Sequence, residues 1–103
     1  MSVFLISVDL INNTKTSNYD DLLDLITHLS ENGSARQVTR NVIVFESTWE
    51  TIEIRQAANA FLRSLKISGD IAKYHFILSK VSELEFKSKE ANFLKMIKQT
   101  NHV

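Results

Sequence analysis

The chain has 103 residues, which is enough for one domain that buries a single core without disulfides or a structural metal. It contains no cysteine, which excludes a disulfide framework and a thiolate zinc site. Twelve basic residues balance twelve acidic ones, so the net charge lacks the strong positive bias of a general nucleic-acid binder. Any contact with RNA or DNA must therefore come from a local patch.

The opening of the chain bears on its localisation. MSVFLISVDL has no positively charged start, and Ser7 and Asp9 interrupt its apolar run, so it predicts a strand and not a signal peptide. No later segment approaches the roughly 18 apolar residues of a membrane span. We therefore expect a soluble, cytoplasmic protein that does not contact a membrane.

Hydrophobic patterning in the first third predicts a strand followed by a helix. Val3 to Leu10 is apolar on both parities, which is typical of a central strand. Ser17 with Asp20 resembles a capping box, and Gly33 suits the position just past the helix end. The apolar residues between them recur at three- and four-residue spacing: Tyr19, Leu22, Leu23, Ile26 and Leu29.

A β-hairpin is predicted next. Its strands are Ser34 to Thr39 and Val42 to Glu46, and they are joined by a tight turn near Arg40-Asn41, where asparagine tolerates the required backbone. The second strand is β-branched and apolar on both parities, which again indicates a central position in a sheet.

A second helix and a fourth strand follow the hairpin. Ser47 with Glu50 offers another capping box, and the helix is expected to end before Ser68-Gly69-Asp70. Its apolar stripe comprises Ile54, Ala57, Ala58, Phe61, Leu62 and Leu65. The strand, Ile71 to Leu78, alternates between an apolar parity, with Ala72, Tyr74, Phe76 and Leu78, and a polar parity, with Lys73 and His75.

The C-terminal part predicts two further elements. Val81 to Phe86 reads as a short fifth strand, and Ser88 is placed to cap a last helix. The apolar residues of that helix are Ala91, Phe93, Leu94 and Ile97. Residues beyond Thr100 are expected to fray.

The order of these elements predicts an α+β, ferredoxin-like β-α-β-β-α-β sandwich, with both helices on one face of a four-stranded antiparallel sheet. Because the first strand is apolar on both parities, the helix-free face also carries apolar side chains. Such a face usually marks an interface, so we expect a two-fold homodimer. The alternative is that the C-terminal helix folds back over that face. We assign residues 1–80 to the ferredoxin-like domain and 81–103 to a C-terminal strand and helix extension at the dimer interface.

Three segments resemble a known family. Phe4 to Leu10, Asn41 to Ser47 and Gly69 to Leu78 are similar, in matching order over about residues 2–80, to the small CRISPR adaptation subunit and its SinR-like and VapD-toxin-like relatives. The resemblance implies a ferredoxin-like homodimer in which the fifth strand pairs with the partner's sheet. It also implies that Asp9, which ends the first strand, faces its symmetry mate. Some members of this family are metal-dependent nucleases, and others are non-catalytic scaffolds on DNA.

The chain departs from that family directly after Asp9. An arginine-rich stretch is replaced here by Asn12-Asn13-Thr14-Lys15-Thr16, which holds a single basic residue. The entry to the first helix, Tyr19 to Leu22, is closer to the SinR-like branch, whose activity is less defined.

The candidate catalytic residues are two acids. A pair of Asp9 carboxylates at a dimer axis would supply hard oxygen ligands for Mg²⁺ or Mn²⁺. The alternative is that Asp9 only accepts hydrogen bonds from its own loop. Glu46 ends the third strand, which lies beside the first in this topology, and is expected to act as a second carboxylate near the metal or as a general base. The alternative for Glu46 is a solvent-facing surface position.

The candidate contacts to RNA or DNA are Lys15, Arg36, Arg40 and Arg55. The alternative is a solvated charged face, because acidic residues are interspersed with the basic ones. Trp49 and Tyr74 are able to stack on bases, although both are better explained as core aromatics.

Two functions remain open from these residues. The first is a dimeric nucleic-acid-handling protein with metal-dependent phosphodiester cleavage at Asp9, which needs Mg²⁺ or Mn²⁺. The second is a non-catalytic dimer that binds protein partners in defence or counter-defence and needs no cofactor. The neutral charge and the missing arginines favour the second function, and the position of Asp9 favours the first.

Overall fold

The computed structural model describes residues 2–81. Its elements, in chain order, are β1 (Ser2–Ile11), α1 (Ser17–Leu29), β2 (Arg36–Thr39), β3 (Val42–Ser47), α2 (Thr51–Ser68) and β4 (Lys73–Val81), with a short 3₁₀ turn (Glu31–Gly33) after α1. Val81 ends β4, and the rest of the predicted fifth strand and the last helix lie outside the described residues. Within residues 2–81, no helix is long and apolar enough to cross a membrane.

The four strands form one antiparallel sheet in the order β2-β3-β1-β4. The first strand therefore lies at the centre, between β3 and β4, as its apolar sequence on both parities predicts. Both helices pack on one side of the sheet, in one core with side chains from β1 and β3. The predicted α+β, ferredoxin-like arrangement is confirmed.

The main core lies between the sheet and the two helices. Phe4 and Phe45 face each other across β1 and β3, with stacked rings whose centroids are 5.5 Å apart. The helices contribute the side chains of the predicted stripes, and those that are most deeply buried are Leu22, Ile26, Ile54, Ala58 and Leu62. The alternation of β4 is also as predicted, since Tyr74, Phe76 and Leu78 pack against this core.

The face of the sheet opposite α1 and α2 carries no helix from residues 2–81; we call it the helix-free face, and it divides into two halves of different exposure. At one end, which we call the closed half, Val3 and Val44 form a second apolar cluster, and Glu46 lies beside them opposite Val3. At the other end, which we call the open half, the register places Ser7 opposite Ile77 and Asp9 opposite His75. Ile77 is 67% exposed there, whereas Val44 is fully buried at 0%.

Both predicted capping boxes are wrong, because other residues take the cap positions. Ser17 lies inside α1, since Thr16 precedes the helix and offers no side-chain cap. At α2 the helix begins later than the Ser47 box implies, and the backbone N–H of Glu50 donates to Glu53 Oε1 at 3.0 Å. Ser47 is used elsewhere, because its hydroxyl donates to the Leu29 carbonyl at 2.6 Å.

The two glycines end different kinds of structure. Gly69 follows α2 with φ +85°, and the next N–H, that of Asp70, donates to the Leu65 carbonyl at 3.0 Å, as expected for a helix end. Gly33 does not end α1, which stops at Leu29; it closes the 3₁₀ turn instead. The expected position of Gly33 just past the helix is therefore wrong.

Two strand boundaries also differ from the expected ones. The segment before Arg36 does not join the strand ladder by its backbone, because the buried Ser34 hydroxyl pairs with both backbone groups of Glu46. The fourth strand begins at Lys73 and continues to Val81, where it pairs with Val3. Val81, at its C-terminal end, packs against the closed half.

Candidate functional site

The candidate site lies around Asp9 on the open half. Asp9 shares its parity with Leu5 and Ser7, which places its side chain on the helix-free face. It is exposed, in contrast to its buried neighbours Val8 and Leu10 on the helix side. The sheet therefore presents this carboxylate to whatever approaches the open half.

Asn41 holds the Asp9 carboxylate in place. The Asn41 side-chain amide donates to Asp9 Oδ1 at 2.7 Å and to the Val8 carbonyl at 3.0 Å. The Val8 N–H in turn donates to the Asn41 carbonyl at 2.8 Å. Asp9 thus does accept a hydrogen bond, but from the turn between β2 and β3 and not from its own loop. This contact orients the carboxylate without removing it from solvent.

Two basic side chains of β4 lie on the same face of the sheet as Asp9 and close to it. His75 is its direct partner in the antiparallel register, and Lys73 is the partner of Ile11, two residues further along the same face. Directly opposed side chains on one face of a sheet have Cβ atoms about 5 Å apart. His75 and Lys73 are both exposed. Each subunit therefore places two side chains of metal-binding type, Asp9 and His75, side by side on the sheet.

Sequence reasoning missed His75 and Asn41 as members of the site. The sequence predicts the polar parity of β4 correctly. It does not predict the pairing register of β4 with β1, which places His75 opposite Asp9. The available signal is that the polar residues of β4, when paired with the polar end of β1, place His75 near Asp9. Asn41 was treated as a turn residue only, because its partner Asp9 is 32 positions away.

Glu46 lies at the far end of the sheet from Asp9. It is the partner of Val3, six positions before Asp9 in β1, which corresponds to about 20 Å along the strand. The expected pairing of Glu46 with Asp9 in one catalytic site is therefore wrong within a subunit. Because β1 and β3 run antiparallel, their C-terminal ends lie at opposite ends of the sheet. Asp9 and Glu46 each lie near the C-terminal end of their strand, so the two acids are far apart.

The surroundings of Glu46 differ from both expectations for it. The side chain is 1% exposed, so the solvent-facing alternative is wrong as well. Its Oε1 has no hydrogen-bond partner among the described residues. Burial raises the pKa of the Glu46 carboxyl above its ordinary value; the positive charge of the chain's N-terminus opposes this increase, and the negative charge of Glu31 adds to it.

The four basic candidates do not form one track. Lys15 lies in the loop after β1, 3.5 Å from Asp70 Oδ1, and the Arg40 guanidinium lies over the Tyr19 ring, 5.4 Å from its centroid. Both are near the end of β1 that carries Asp9. The other two candidates lie elsewhere: Arg36 is in the edge strand opposite Val44, with Nη1 donating to the Gly33 and Ala35 carbonyls, and Arg55 is exposed on α2.

Of the two aromatic candidates for base stacking, one lies against the core and the other at the surface. Tyr74 packs against the main core as predicted, and its hydroxyl donates to Asn59 Oδ1 at 2.7 Å. Trp49 is 45% exposed just before α2, so the prediction of a core position for it is wrong. Ser47 Oγ accepts the Trp49 N–H at 3.0 Å, and the chain turns there toward the surface.

The donor set at Asp9 fits a hard divalent cation only in part. A carboxylate suits Mg²⁺ or Mn²⁺, and an imidazole suits Mn²⁺ better than Mg²⁺. Within the part of the chain that the structure describes, no group of three or more His, Asp or Glu side chains gathers closely enough to hold a metal ion. A metal at this place would therefore need further ligands from outside residues 2–81 of one subunit.

The fold and the Asp9 site define a small α+β protein of ferredoxin-like topology. No known family and no curated protein matches the chain. Among solved structures, a dimeric ferredoxin-like protein from an uncultured marine organism is similar to it, with 13% identity, a TM-score of 0.37 and coverage of 85% of this chain and 95% of the other. A similarity this distant says nothing about the site, so the fold class rests on the topology of the chain itself.

Proposed function

We propose that this protein is a homodimer that joins through the open half of its helix-free face and handles nucleic acid at Asp9, with metal-dependent phosphodiester cleavage as its activity. The observation that carries the proposal is the exposed Asp9 carboxylate, oriented by Asn41 and flanked by His75 on an uncovered sheet face. This resembles the arrangement implied by the similarity to the small CRISPR adaptation subunit and its SinR-like relatives.

An exposed apolar side chain near Asp9 supports the proposed dimer. Ile77 is a large aliphatic side chain that is 67% exposed, and it lies on the same face as Asp9, one pleat away. Burial of such a side chain is worth about 1.5–3 kcal/mol, and a two-fold contact buries two copies of it. A two-fold axis through the open half would also bring each Asp9 toward its counterpart.

Contact with a nucleic-acid backbone would rest on the basic groups at this end of the sheet. Lys73 lies on the face of Asp9, and Arg40 and Lys15 lie in the two loops that border it. Lysine and arginine side chains in such positions bind phosphate oxygens and orient the strand without reading its sequence. The neutral net charge is consistent with binding that depends on this end alone.

In this proposal the two Asp9 carboxylates, with His75 beside them, would hold Mg²⁺ or Mn²⁺. The ion would polarise the phosphodiester and lower the pKa of a bound water. Asn41 fixes the direction in which the Asp9 carboxylate points, which is the contribution of a positioning residue. Lys73 would hold the phosphate of the substrate by its charge.

The test is cleavage by the purified full-length protein of single- and double-stranded RNA and DNA, with Mg²⁺ or Mn²⁺. We expect Asp9→Asn to lower the rate on the order of 100-fold. The matched control is Asp24→Asn, at an exposed acid on α1 far from the open half, which should leave the rate unchanged. Absence of cleavage with every substrate, or equal rates for Asp9→Asn and wild type, would end the enzymatic part of the proposal.

A second function is favoured by a different observation. Lys15 is paired with Asp70 and Arg40 lies over Tyr19, so two of the basic side chains already have partners within the chain. In addition, Trp49 and Ile52 are 45% and 49% exposed next to each other at the start of α2, and an exposed tryptophan is typical of protein interfaces. A non-catalytic dimer that binds a protein partner would use this surface.

The second function predicts that no nucleic acid binds in fluorescence anisotropy at low salt, where phosphate contacts are strongest. It also predicts that a protein co-purifies with the wild type and is lost with Trp49→Ser. Ile67→Ser, at an exposed aliphatic residue near the other end of α2, is the control and should retain the partner. Nucleic-acid binding that weakens with Lys73→Ala would favour the first function instead.

A further inference from the structure

The pair of side chains at Asp9 favours a transition metal over Mg²⁺. Asp9 contributes a carboxylate, and His75, its direct partner in the antiparallel register, contributes an imidazole on the same face of the sheet. Mg²⁺ prefers oxygen ligands, whereas imidazole is a good ligand for Zn²⁺ and its first-row neighbours. A site that includes both side chains therefore selects zinc in preference to magnesium.

Both side chains are free to bind an ion. The Asn41 amide donates to Asp9 Oδ1 at 2.7 Å, and within residues 2–81 the second carboxylate oxygen, Oδ2, has no hydrogen bond or ion pair. The exposed His75 side chain likewise forms neither kind of contact with those residues. Directly opposed side chains on a sheet have Cβ atoms about 5 Å apart. At this spacing, one ion is able to contact both the carboxylate and the imidazole.

One subunit supplies too few ligands for zinc. A structural zinc site has four protein ligands, and one pair of Asp9 and His75 offers two. Within residues 2–81 of one subunit, no third His, Asp or Glu side chain lies close enough to add to the pair. A second copy related by a two-fold axis would supply an identical pair. The site is therefore complete only in the dimer.

The dimensions of stacked sheets suit an ion that is shared in this way. Two sheets that pack face to face lie about 10 Å apart, so an ion midway between them is about 5 Å from each. A carboxylate or imidazole side chain spans this distance together with a metal–ligand bond of about 2 Å. Ile77, which is 67% exposed and lies two residues after His75 in β4, would border the ion with apolar surface.

We propose that Zn²⁺ binds between two subunits, held by Asp9 and His75 of each copy, and that it locks the dimer in an inhibited state. The inference rests on the proposed function for the dimer through the open half, but it does not depend on cleavage. Four protein ligands leave no coordination position for a water or a phosphate oxygen. An imidazole-containing site also binds Zn²⁺ more tightly than Mn²⁺. Zn²⁺ is therefore a competitor of the metal that supports cleavage.

Sedimentation velocity of the full-length protein, with and without zinc chloride, tests the link between the ion and the dimer. We expect Zn²⁺ to tighten self-association at least about tenfold and EDTA to reverse the effect, because the ion binds the dimer in preference to the monomer. His75→Ala should abolish this zinc effect. The matched control is His28→Ala, at an exposed histidine on α1, which should retain it. Self-association that ignores Zn²⁺, or a zinc effect that survives in His75→Ala, would overturn the proposal.

The absorption spectrum of bound Co²⁺ reports on the ligand set. Tetrahedral Co²⁺ absorbs visible light much more strongly than octahedral Co²⁺, so the spectrum reveals the geometry and a titration gives the stoichiometry. We expect a tetrahedral spectrum that saturates at one ion for every two chains and is lost in both Asp9→Asn and His75→Ala. Saturation at one ion per chain, or an octahedral spectrum, would contradict the shared site of four protein ligands.

Lys73 provides a variant with the opposite sign of effect. Its ammonium group lies on the face of His75, two residues away in β4, and repels a bound cation. Lys73→Ala should therefore tighten Zn²⁺ binding roughly threefold, although the same substitution weakens nucleic-acid binding in the proposed function. Zinc binding that weakens in Lys73→Ala would place the ion elsewhere and overturn the proposal.

The cleavage assay separates this inference from the proposed function. A zinc-linked dimer in a protein that cleaves no nucleic acid would support the zinc site and remove the enzymatic activity. If the protein does cleave with Mg²⁺, Zn²⁺ should lower the rate at least about tenfold. A rate with Mg²⁺ that Zn²⁺ leaves unchanged would overturn the inhibitory zinc site and leave the proposed function standing.

Discussion

At the scale of single residues, hydrogen bonds decide which of the polar candidates have a defined geometry. Asp9 is held by Asn41, Ser34 satisfies the backbone of Glu46, and Glu46 Oε1 has no hydrogen-bond partner within residues 2–81. None of these contacts follows from local sequence, because each joins residues from different elements. The sequence predicted Asp9 as a candidate, but its partner and the burial of Glu46 required the tertiary structure.

The contact between Asn41 and Asp9 predicts how substitutions at Asn41 affect stability. Asn41→Ala removes the donor to Asp9 and to the Val8 carbonyl and should lower the free energy of unfolding by about 1 kcal/mol. Asn41→Asp should cost more at pH 7, by about 1–3 kcal/mol, because two carboxylates then face each other. Urea unfolding measures both. The extra cost of Asn41→Asp should disappear near pH 3, and its persistence there would contradict the electrostatic explanation.

The raised pKa of Glu46 predicts a dependence of stability on pH. Its folded-state pKa lies above the ordinary value of 4.5, so the protonated form is favoured in the folded chain. This contribution to stability is fully present below about pH 4.5 and is lost as the pH rises through the folded-state pKa. Glu46→Gln, which mimics the protonated form, should therefore be more stable than wild type at pH 7, and the difference should shrink as the pH falls below about 4.5, as measured by urea unfolding at the two pH values.

The control for Glu46 is an exposed carboxyl side chain. Asp24→Asn, on α1, should leave the free energy of unfolding nearly unchanged. A Glu46→Gln variant that is less stable than wild type at pH 7, with the same pH profile, would show that the folded chain holds the charged form.

At the scale of elements, the periodic patterns predicted the helices and strands well and their ends poorly. The apolar stripes and the alternation of β4 report burial directly, and both are confirmed. The caps failed because Ser17 and Ser47 fit a common local pattern, while tertiary contacts assign other roles, such as the bond from Ser47 to the Leu29 carbonyl. Local patterns specify the type of element, and its first and last residues depend on what it packs against.

The C-terminal end of α2 tests the rule that a glycine with a left-handed backbone follows the end of a helix, which the sequence predicted correctly here. Gly69 has φ +85°, and a Cβ added there would meet nothing within 4 Å. The cost of Gly69→Ala is therefore conformational and should lower the free energy of unfolding by about 1 kcal/mol, as measured by thermal or urea unfolding. Gly69→Asn should cost less, because asparagine tolerates the left-handed region better. Equal stabilities of Gly69→Ala and wild type would contradict the strained conformation.

At the scale of the whole molecule, the central prediction is the homodimer, which no described contact tests. The apolar sequence of β1 on both parities predicts it, and the structure adds that the two ends of this face differ, because Ile77 and Asp9 are exposed whereas Val3 and Val44 are buried. The sequence could not predict this division, since Val3, Val44 and Ile77 look equally apolar in the pattern. The difference between them is in their exposure, which hydrophobic patterning does not report.

Sedimentation velocity tests the dimer and the surface that forms it. We expect Ile77→Lys to weaken self-association at least about tenfold, because it places two charges in the proposed contact. Ile67→Lys is the matched control, since Ile67 is 79% exposed on α2 and should leave the dimer unchanged. A wild-type particle of 11.8 kDa at all concentrations would remove the dimer and the shared Asp9 site.

The position of β4 at the rim of the sheet has a practical consequence. Among residues 2–81 it pairs with β1 alone, so along its outer side the backbone groups are available to another strand. Lys73 and Lys80, near its two ends, discourage such strand addition by repulsion between like charges. The net charge adds little repulsion between molecules near neutral pH, since the isoelectric point is about 6.8. Concentrated samples should stay clear longest when the buffer is well away from neutral pH, and they should turn cloudy soonest close to it.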